Sequence, residues 1–519
     1  MAHLGEIKIF AFNFVPTNYV LCDGRRLKKS EYATLYRILG DIFTQHTSDE
    51  STFGIPDLRH RFVKHPETDI RLGEQKGVDK LTLTSAQMPE HNHDVSLEVD
   101  NTTGGDEVSP SPNATYLNNN AAVFSTDLSE NAFLGGVSQQ NVGNSKPIPI
   151  KNEHVKMVYA IRYKNDDPQD GFLGEIKIWP SSKTVGVGAI PKGWKLCNGD
   201  TYSISNNSAL GSIIGFKYGE SSDGKPKLPD FRNKFATGAQ EINKVAETGG
   251  NTSIRLGLNS LPTHKHDVKL AVNNDVESDE VQVPTNAFIN KNAGTFSQAI
   301  TSQASLGGVS QENRGSNQEL DITNSCLGLN YIICVKGIID VKPENAYIGE
   351  IILYAGVNNA YIETSDLTQC HGQLMHISQN QKLFSLLSNL YGGDGTVNFK
   401  LPDLRNKLPL CVSAFDEVGK TAGANSIKLT QENLPEHNHD VKLAVNPVDS
   451  GTKVAIPNGI LNKNAGRYST KETENTYLAG IIEHDFTREA EAVNLRNPFL
   501  SINYLICLKG NYPSKKSKQ

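Results

Sequence analysis

The chain has 519 residues, and its 57 acidic and 51 basic side chains give a net charge of −6. This ordinary surface charge argues against partners such as nucleic acid or an anionic membrane. No apolar run approaches the length of about 18 residues needed to cross a bilayer, and no secretory signal peptide is visible, so we expect synthesis in the cytoplasm without a signal peptide and no membrane insertion.

The sequence repeats itself three times. Each copy begins with a short strand pattern, at residues 5–9, 174–178 and 349–353. The length alone predicts about three domains, at roughly 150 residues each. We therefore expect three repeats, at residues 1–165, 172–338 and 347–510, followed by a basic tail at 511–519. They are named copy one, copy two and copy three below.

A Cys-x-Gly motif follows the first strand of each copy, at Cys22, Cys197 and Cys370. Equivalent positions in separate copies predict buried thiols and not disulfide partners. The total of seven cysteines is odd, with no CxxC pattern, which favours reduced cysteines.

One amphipathic helix is predicted next. In copy one it lies within residues 30–40, with a stripe formed by Tyr32, Leu35, Tyr36 and Leu39 and a stop at Gly40. Copy three repeats the pattern from residue 378. Copy two has only a weak version at residues 205–214, because Gly211 interrupts it. We interpret this helix as part of the core.

A Pro-Asp pair recurs at intervals of 173 residues, with an arginine two positions after each aspartate. The pairs begin at Pro56, Pro229 and Pro402. Proline fixes φ and aspartate bonds nearby amides, so the motif predicts a rigid turn whose carboxylate is clamped by the arginine. A catalytic Asp/Arg pair is the alternative, which we do not favour because no histidine or nucleophile recurs beside the motif.

Six of the 14 histidines form three His-x-His pairs, again 173 residues apart. They are His91 and His93, His264 and His266, and His437 and His439. In each copy, valine and leucine continue the alternation that the two histidines begin, which is the pattern of a strand with one buried face. We expect each pair to point into that face.

Three pairs that converge on one axis would present six imidazole nitrogens to a common point, as in an octahedral metal site. A single pair would more simply be two half-buried histidines bonded to backbone, but the fixed repetition favours ligands. Imidazole suits zinc, iron, copper and nickel. Protein-bound zinc usually takes four ligands, so the chemistry alone favours one octahedral transition-metal ion such as iron or nickel.

Long polar stretches follow the pairs, at about residues 101–145, 273–324 and 446–497. Their composition predicts extended, interlaced strands that depend on neighbouring copies for burial, with exposed tips. Each copy closes on a hydrophobic strand, near residues 158–161, 330–337 and 503–510. The predicted fold class is α+β, mostly β and irregular.

Taken together, these motifs resemble the phage tail collar domain, three times over nearly the whole chain. A related domain occurs in the short tail fibres of contractile-tailed phages. The resemblance implies a fibre that is a homotrimer, in which the paired histidines of three chains bind one metal ion, taken as zinc. It therefore implies zinc at the six histidines named above. Two arrangements remain open: a single-chain pseudo-trimer, which we favour, or three successive beads, each trimerised with two further chains.

The resemblance implies a structural or attachment component of a phage tail or related contractile injection particle. Its partners would be other tail, fibre or baseplate proteins and a host-surface glycan, and it would be located in the virion tail or an extracellular injection particle. A secreted or surface carbohydrate-binding protein of the microcystin-dependent type is the alternative. We do not expect an enzyme, because six ligands leave no open metal position for substrate or water.

Overall fold

The computed structural model describes residues 4–44, 49–66, 70–89, 91, 142–162, 171–181, 190–257, 260–261, 264, 266, 318–334, 346–356, 366–435, 437, 439 and 491–514, with the backbone of short strands between them. Within these residues it has three α-helices: Ala33–Leu39, Ser208–Ile214 and Gln381–Leu387. The strands of copy one are Ile7–Phe10, Tyr19–Leu21, Arg26–Lys28, Thr52–Gly54, Phe62–Lys64, Gln75–Lys76, Lys80–Leu81, Val95–Asp100, Val108–Ser109, Tyr116–Asn118, Phe124–Ser125, Val137–Gln139, Ile148–Pro149 and His154–Arg162. Those of copy two are Glu175–Trp179, Trp194–Leu196, Phe235–Gly238, Thr248–Gly249, Ser253–Ile254, Val268–Asn273, Glu280–Val281, Phe288–Asn290, Phe296–Ser297, Ser305–Leu306, Val309–Gln311, Leu320–Asp321, Cys326–Gly328 and Asn330–Cys334. Those of copy three are Glu350–Tyr354, Leu367–Gln369, Leu374–His376, Asn398–Lys400, Leu408–Cys411, Thr421–Ala422, Ser426–Ile427, Val441–Leu443, Val445–Asn446, Ile460–Asn462, Tyr468–Ser469, Tyr477–Leu478, Ile481–Glu483, Val493–Asn494 and Phe499–Cys507.

The three copies close around one pseudo-threefold axis. Their first strands pair with one another, and each also pairs antiparallel with the last strand of its own copy. The closing segment of each copy then runs parallel to a strand of a different copy. These parallel pairs are His154–Arg162 with Leu408–Cys411, Cys326–Gly328 with Phe62–Lys64, and Phe499–Cys507 with Phe235–Gly238. The predicted pseudo-trimer is confirmed as the architecture of the single chain.

Tyrosine hydroxyls at equivalent positions also link each copy to a neighbouring copy. Each tyrosine of a closing strand donates a hydrogen bond to a carbonyl oxygen of the neighbouring copy: Tyr159 to Pro409 at 2.9 Å, Tyr331 to Val63 at 3.2 Å and Tyr504 to Ala236 at 2.8 Å. Because all three are buried, each bond satisfies a polar group that would otherwise be costly to bury.

Three buried asparagines form a closed ring across the axis. The backbone N–H of Asn152 donates to the side-chain Oδ1 of Asn324 at 2.7 Å, that of Asn324 to Asn497 at 2.8 Å, and that of Asn497 back to Asn152 at 3.1 Å. Each Nδ2 donates to a carbonyl of another copy at 2.8–2.9 Å. Since a buried amide tolerates no missing partner, the ring fixes the register of all three copies together.

Apolar layers fill the axis on the side of this ring that leads to the histidines. One layer consists of nine residues, three from each copy: Leu83, Ile148, Ile150, Leu256, Leu320, Ile322, Leu429, Val493 and Leu495. The next layer contains only Met88, Leu261 and Leu434, all fully buried. Burial of these side chains against their counterparts stabilises the pseudo-trimer at its centre.

Buried charges occupy the axis at the level of the first strands. They are Glu6, Glu175 and Glu350 with Lys8 and Lys177, while Ile352 stands where the third lysine would be. The Lys8 ammonium donates to Glu350, and that of Lys177 donates to Glu6 at 2.7 Å. The ring therefore has three carboxylates and two ammonium groups. Among the described residues, the lysine contact of Glu175 is the longer one with Lys177, at 3.6 Å.

The charges in this ring set its pKa values in opposite directions. Burial alone would raise the pKa of Glu6, but Lys177 and Lys8 hold it at about 2. Burial raises the pKa of Glu175, and the more distant Lys177 offsets this only in part. Glu6 and Glu175, at equivalent positions in two copies, thus have pKa values shifted in opposite directions.

The helix of copy two corrects the sequence analysis. We interpreted residues 205–214 as a weak helix, yet Ser208–Ile214 forms a helix of seven residues, as long as those of copies one and three. A Cβ atom at Gly211 would lie 3.3 Å from the Cγ2 of Ile204. The glycine therefore permits close packing and does not interrupt the helix. In copy one, the buried face also includes Ile38, which the predicted stripe omitted.

The Cys-x-Gly and Pro-Asp motifs meet in each copy. All seven cysteines are buried, and none forms a disulfide bond, as predicted. Gly24 has φ +73°, and a Cβ there would lie 2.8 Å from the Cβ of Asp57, so only glycine fits. The Asp57 carboxylate in turn accepts bonds from the backbone N–H and the guanidinium of Arg59, at 2.9–3.2 Å. The aspartate and arginine therefore form the predicted turn.

Replacing Asp403 by alanine is expected to lower the free energy of unfolding by about 1 kcal/mol. The carboxylate bonds the N–H, Nε and Nη2 groups of Arg405 at 3.1, 2.9 and 2.7 Å, but its side chain is 34% exposed. Water will therefore replace part of the hydrogen bonding that is lost with the carboxylate. Urea denaturation measures the change, and metal content should stay as in the unaltered chain. Loss of metal without loss of stability would contradict a turn role.

The long polar stretches interlace, as predicted. Val137–Gln139 of copy one pairs with Val268–Asn273 of copy two, Val309–Gln311 of copy two with Val441–Leu443 of copy three, and Ile481–Glu483 of copy three with Val95–Asp100 of copy one. The strand that follows each histidine pair is thus bordered by another copy. No helix in the described part of the chain is long and apolar enough to span a membrane.

Candidate metal centre

A short turn leads into the histidine pairs of copies one and three. The backbone N–H of Thr84 donates to the side-chain oxygen of Gln87 at 3.0 Å, and in copy three the N–H of Thr430 donates to that of Asn433 at 2.9 Å. Each turn places the next apolar residue, Met88 or Leu434, on the axis. A proline follows, and two residues later the first histidine begins. The turn therefore aims the histidine at the axis.

The first histidines of the three pairs form a triangle. The ring centroids of His91, His264 and His437 lie 5.2, 5.5 and 5.3 Å apart. All three side chains are buried, with exposures of 3–7%. The near-equal sides indicate that the pseudo-threefold axis passes between the rings.

The second histidines add a further layer. His266 and His439 are each 1% exposed, and their ring centroids lie 5.1 Å apart. Each also lies 4.8 Å from a first histidine of another copy, His266 from His437 and His439 from His91. His93, the sixth predicted ligand, lies outside the described residues. The structure thus brings together the five predicted histidines that it describes.

Backbone carbonyls orient two of the first histidines. Nδ1 of His91 lies 3.0 Å from the carbonyl oxygen of Pro89, and Nδ1 of His437 lies 2.9 Å from that of Pro435. In this geometry Nδ1 carries the proton and donates it to the carbonyl, which leaves the lone pair on Nε2. Such an outer bond is the usual support of a metal-binding histidine.

The Nε2 atoms meet at the centre of the cluster. Nε2 of His91 lies 3.2 Å from Nε2 of His264, and Nε2 of His437 is buried without a hydrogen-bond partner among the described residues. Two ligand atoms at right angles about a metal, with bonds of about 2.1 Å, stand about 3.0 Å apart. The spacing therefore fits two neighbouring ligands of one ion.

Burial also favours the neutral, metal-binding form of one histidine of the cluster. It lowers the pKa of His437, and the nearby His91 acts in the same direction, against the bond to Pro435. Two overlapping groups could hold a metal ion: His91, His437 and His439, and His264, His266 and His437. Within each group the ligand atoms lie within 4.8 Å of one another. The donor set consists of nitrogen, which suits a transition metal more than calcium or magnesium.

The sequence analysis missed several residues that build the centre. Pro89 and Pro435 supply the orienting carbonyls, and Met88, Leu261 and Leu434 form the layer beneath. The Met/Leu-Pro dipeptide before each pair was visible as a repeated signal. The asparagine ring was also visible, since Asn152, Asn324 and Asn497 occupy matching positions before the closing strands.

The phage tail collar domain model matches the chain in three places, at residues 5–63, 174–236 and 349–409. These segments hold the first strand, the helix and the Pro-Asp turn of each copy, and they end before the histidine pairs. No curated protein and no solved structure matches the chain.

Proposed function

Because the chain carries three tandem phage tail collar domains, we propose that it is a structural and attachment component of a phage tail or a related contractile injection particle. The domain itself indicates a structural component of a phage tail fibre or collar. The closed ring of strand exchanges supports the proposal, since one chain reproduces the threefold frame that an elongated tail structure needs at its axis. Its partners would be neighbouring tail, fibre or baseplate proteins.

A metal ion at the axis is the second part of the proposal. The six histidines would hold one transition-metal ion, zinc by family resemblance, or iron or nickel if octahedral preference decides. A saturated centre has no free position for substrate, so its role would be to tie the three copies together. The observation that supports this is the convergence of five buried imidazoles on one axis.

Proteomic analysis of purified particles tests the assignment to a tail. The chain should co-purify with tail proteins through a density gradient, and antibody labelling should place it at one end of the particle. Recovery only as free secreted protein that binds neutral glycans would favour a carbohydrate-binding protein of the microcystin-dependent type.

The proposed repeats, 1–165, 172–338 and 347–510 with a tail at 511–519, lead to a prediction about mass. Because the strands of the three copies interlace within one chain, light scattering of the isolated protein should give a species near 56.7 kDa. Short linkers favour this result, because they give the copies a high effective concentration for one another. A stable particle of three chains that keeps its metal would instead support three successive beads.

A further inference from the structure

A cleft of about 470 Å³ lies at the boundary between copy one and copy two. Copy one supplies most of its walls, from the strand at Arg26, the segment 42–44 after the first helix, the Pro-Asp turn and Gln75. Leu327 of copy two completes the lining, and its backbone pairs with that of Gln75. None of the lining residues belongs to the histidine cluster. The volume is that of a typical small-molecule site.

Two arginines in the cleft are held in place by other bonds. Nε of Arg26 donates to the hydroxyl of Thr52 at 2.7 Å, and its Nη2 donates to the carbonyl of Asp49 at 2.9 Å. Arg59 uses Nε and Nη2 on the carboxylate of Asp57, at 2.9 and 3.0 Å. Within the described part of the chain, these bonds leave the Nη1 group of each arginine for a further acceptor. A ligand would find donors that are already ordered, so it would lose less entropy on binding.

The charge of the cleft favours an anion. Among the described residues that line it, Asp57 is the only acidic one, and it is bonded by Arg59 and also by Arg61, at 3.1 Å. Two guanidinium groups against one engaged carboxylate make these lining residues positive. Two more carboxylates lie just outside the lining, Asp49 near Arg26 and Asp23 near Arg59, and Asp23 is itself paired with Arg25. Planar guanidinium groups pair well with carboxylate and phosphate oxygens.

One wall of the cleft is apolar. Phe43 is half-buried and Ile42 is 39% exposed, and both line the space. This wall would contact the carbon face of a ring, while the arginines bind a charged substituent on it. The combination of one apolar wall and a few fixed polar groups is the usual composition of a small-molecule site.

The equivalent positions in the other copies have different chemistry. Arg59 has counterparts in Arg232 and Arg405, which make the same bonds to their aspartates. Arg26, by contrast, corresponds to Thr201 in copy two and Leu374 in copy three. The Arg-Asp turn is therefore common scaffold, and the second arginine belongs to copy one alone.

We propose that this cleft binds a small organic anion, a ring of sugar size that carries a carboxylate or a phosphate group. The inference does not rest on which particle contains the chain, so a failed tail assignment would leave it standing. Its probes are glucuronate for the carboxylate, glucose 6-phosphate for the phosphate, and methyl glucoside as the neutral control.

Saturation-transfer NMR and calorimetric titration of the full, metal-loaded chain test the proposal. At least one anion should bind, and methyl glucoside should bind about tenfold more weakly or not at all, which corresponds to about 1.4 kcal/mol or more. The anion that binds better identifies the preferred group. Absence of binding by both anions at millimolar concentration, or equal binding of the neutral sugar, would overturn the proposal.

Matched variants locate the binding. Arg59→Ala and Arg405→Ala remove the same clamp at similar exposure, 45% and 42%, but only the first alters the cleft. Arg59→Ala should weaken anion binding about tenfold, whereas Arg405→Ala should leave it unchanged. Gln75→Trp introduces a large side chain into the cleft from an exposed strand position, so it should block anion binding. This variant tests the site even if Arg59→Ala fails to fold. Equal weakening by Arg405→Ala, or full binding by Gln75→Trp, would place the ligand elsewhere.

Discussion

Replacing His264 and His266 by alanine is expected to empty the metal centre and to lower the thermal midpoint of unfolding. A metal that binds only the folded chain stabilises it by about 4 kcal/mol when its free concentration is a thousand times its dissociation constant. The variant loses this contribution and also leaves the remaining buried imidazoles, including His91 and His437, around an incomplete site. Elemental analysis of the purified chain and differential scanning calorimetry measure the two effects.

A control variant removes two histidines elsewhere. His60 has φ +57°, and asparagine occupies the equivalent positions with the same backbone, so His60→Asn is compatible with the fold. Combined with His376→Ala on the exposed surface, it should keep both metal content and midpoint. Elemental analysis that finds no metal above background in undenatured, unaltered protein would refute the proposed centre.

Replacing Lys177 by methionine is expected to lower the free energy of unfolding by about 3–5 kcal/mol. Its ammonium donates at 2.7 Å to the fully buried Glu6 and lies 3.6 Å from Glu175. Without it, Glu6 keeps the longer contact with Lys8 at 3.4 Å, and Glu175 loses its contact with Lys177. Urea denaturation of the metal-loaded chain measures the loss. Methionine keeps the length of the side chain, so the effect reports charge more than volume. A loss below about 1 kcal/mol would show that the ring contributes little.

The same ring predicts opposite pH effects for two glutamates. The pKa of Glu175 is raised in the folded chain, so its contribution to stability is present below the unfolded pKa near 4.5 and is lost as pH rises through the folded pKa. Glu175→Gln should therefore gain stability relative to the unaltered chain between pH 5 and about pH 8. Glu6 has a folded pKa of about 2, so its contribution is present above the unfolded pKa, and Glu6→Gln should be destabilising at both pH values. Equal behaviour of the two variants would contradict the asymmetry.

Much of the fold could be predicted from the sequence because its motifs recur in three copies. Constant spacing identified the histidine pairs, the Pro-Asp turns and the equivalent cysteines, and alternation identified the strands. The prediction of a weak helix in copy two was wrong. Helix propensity disfavours Gly211, but a residue without a side chain fits closely against Ile204. Tertiary contacts decided that element, and they are not visible in a local window.

Other features could not be predicted because they depend on which residues of one copy contact which residues of another. The asparagine ring joins Asn152, Asn324 and Asn497, whose matching positions mark them as equivalent but do not show that they bond to one another. The charge ring has the same origin, since its ion pairs join Lys8 to Glu350 and Lys177 to Glu6 across copies. The repeat spacing identified which residues are equivalent around the axis, but not which of them bond to one another.

A single chain changes how mutations act at the axis. In a symmetric trimer of identical chains, one altered codon appears three times around the axis, so a tolerable loss of one lysine becomes the loss of all three. Here Ile352 replaces one lysine while Lys8 and Lys177 remain, and the two surviving ion pairs still hold the strands together. Because the three copies lie in one chain, each position around the axis can be changed separately, and related positions can take on different roles.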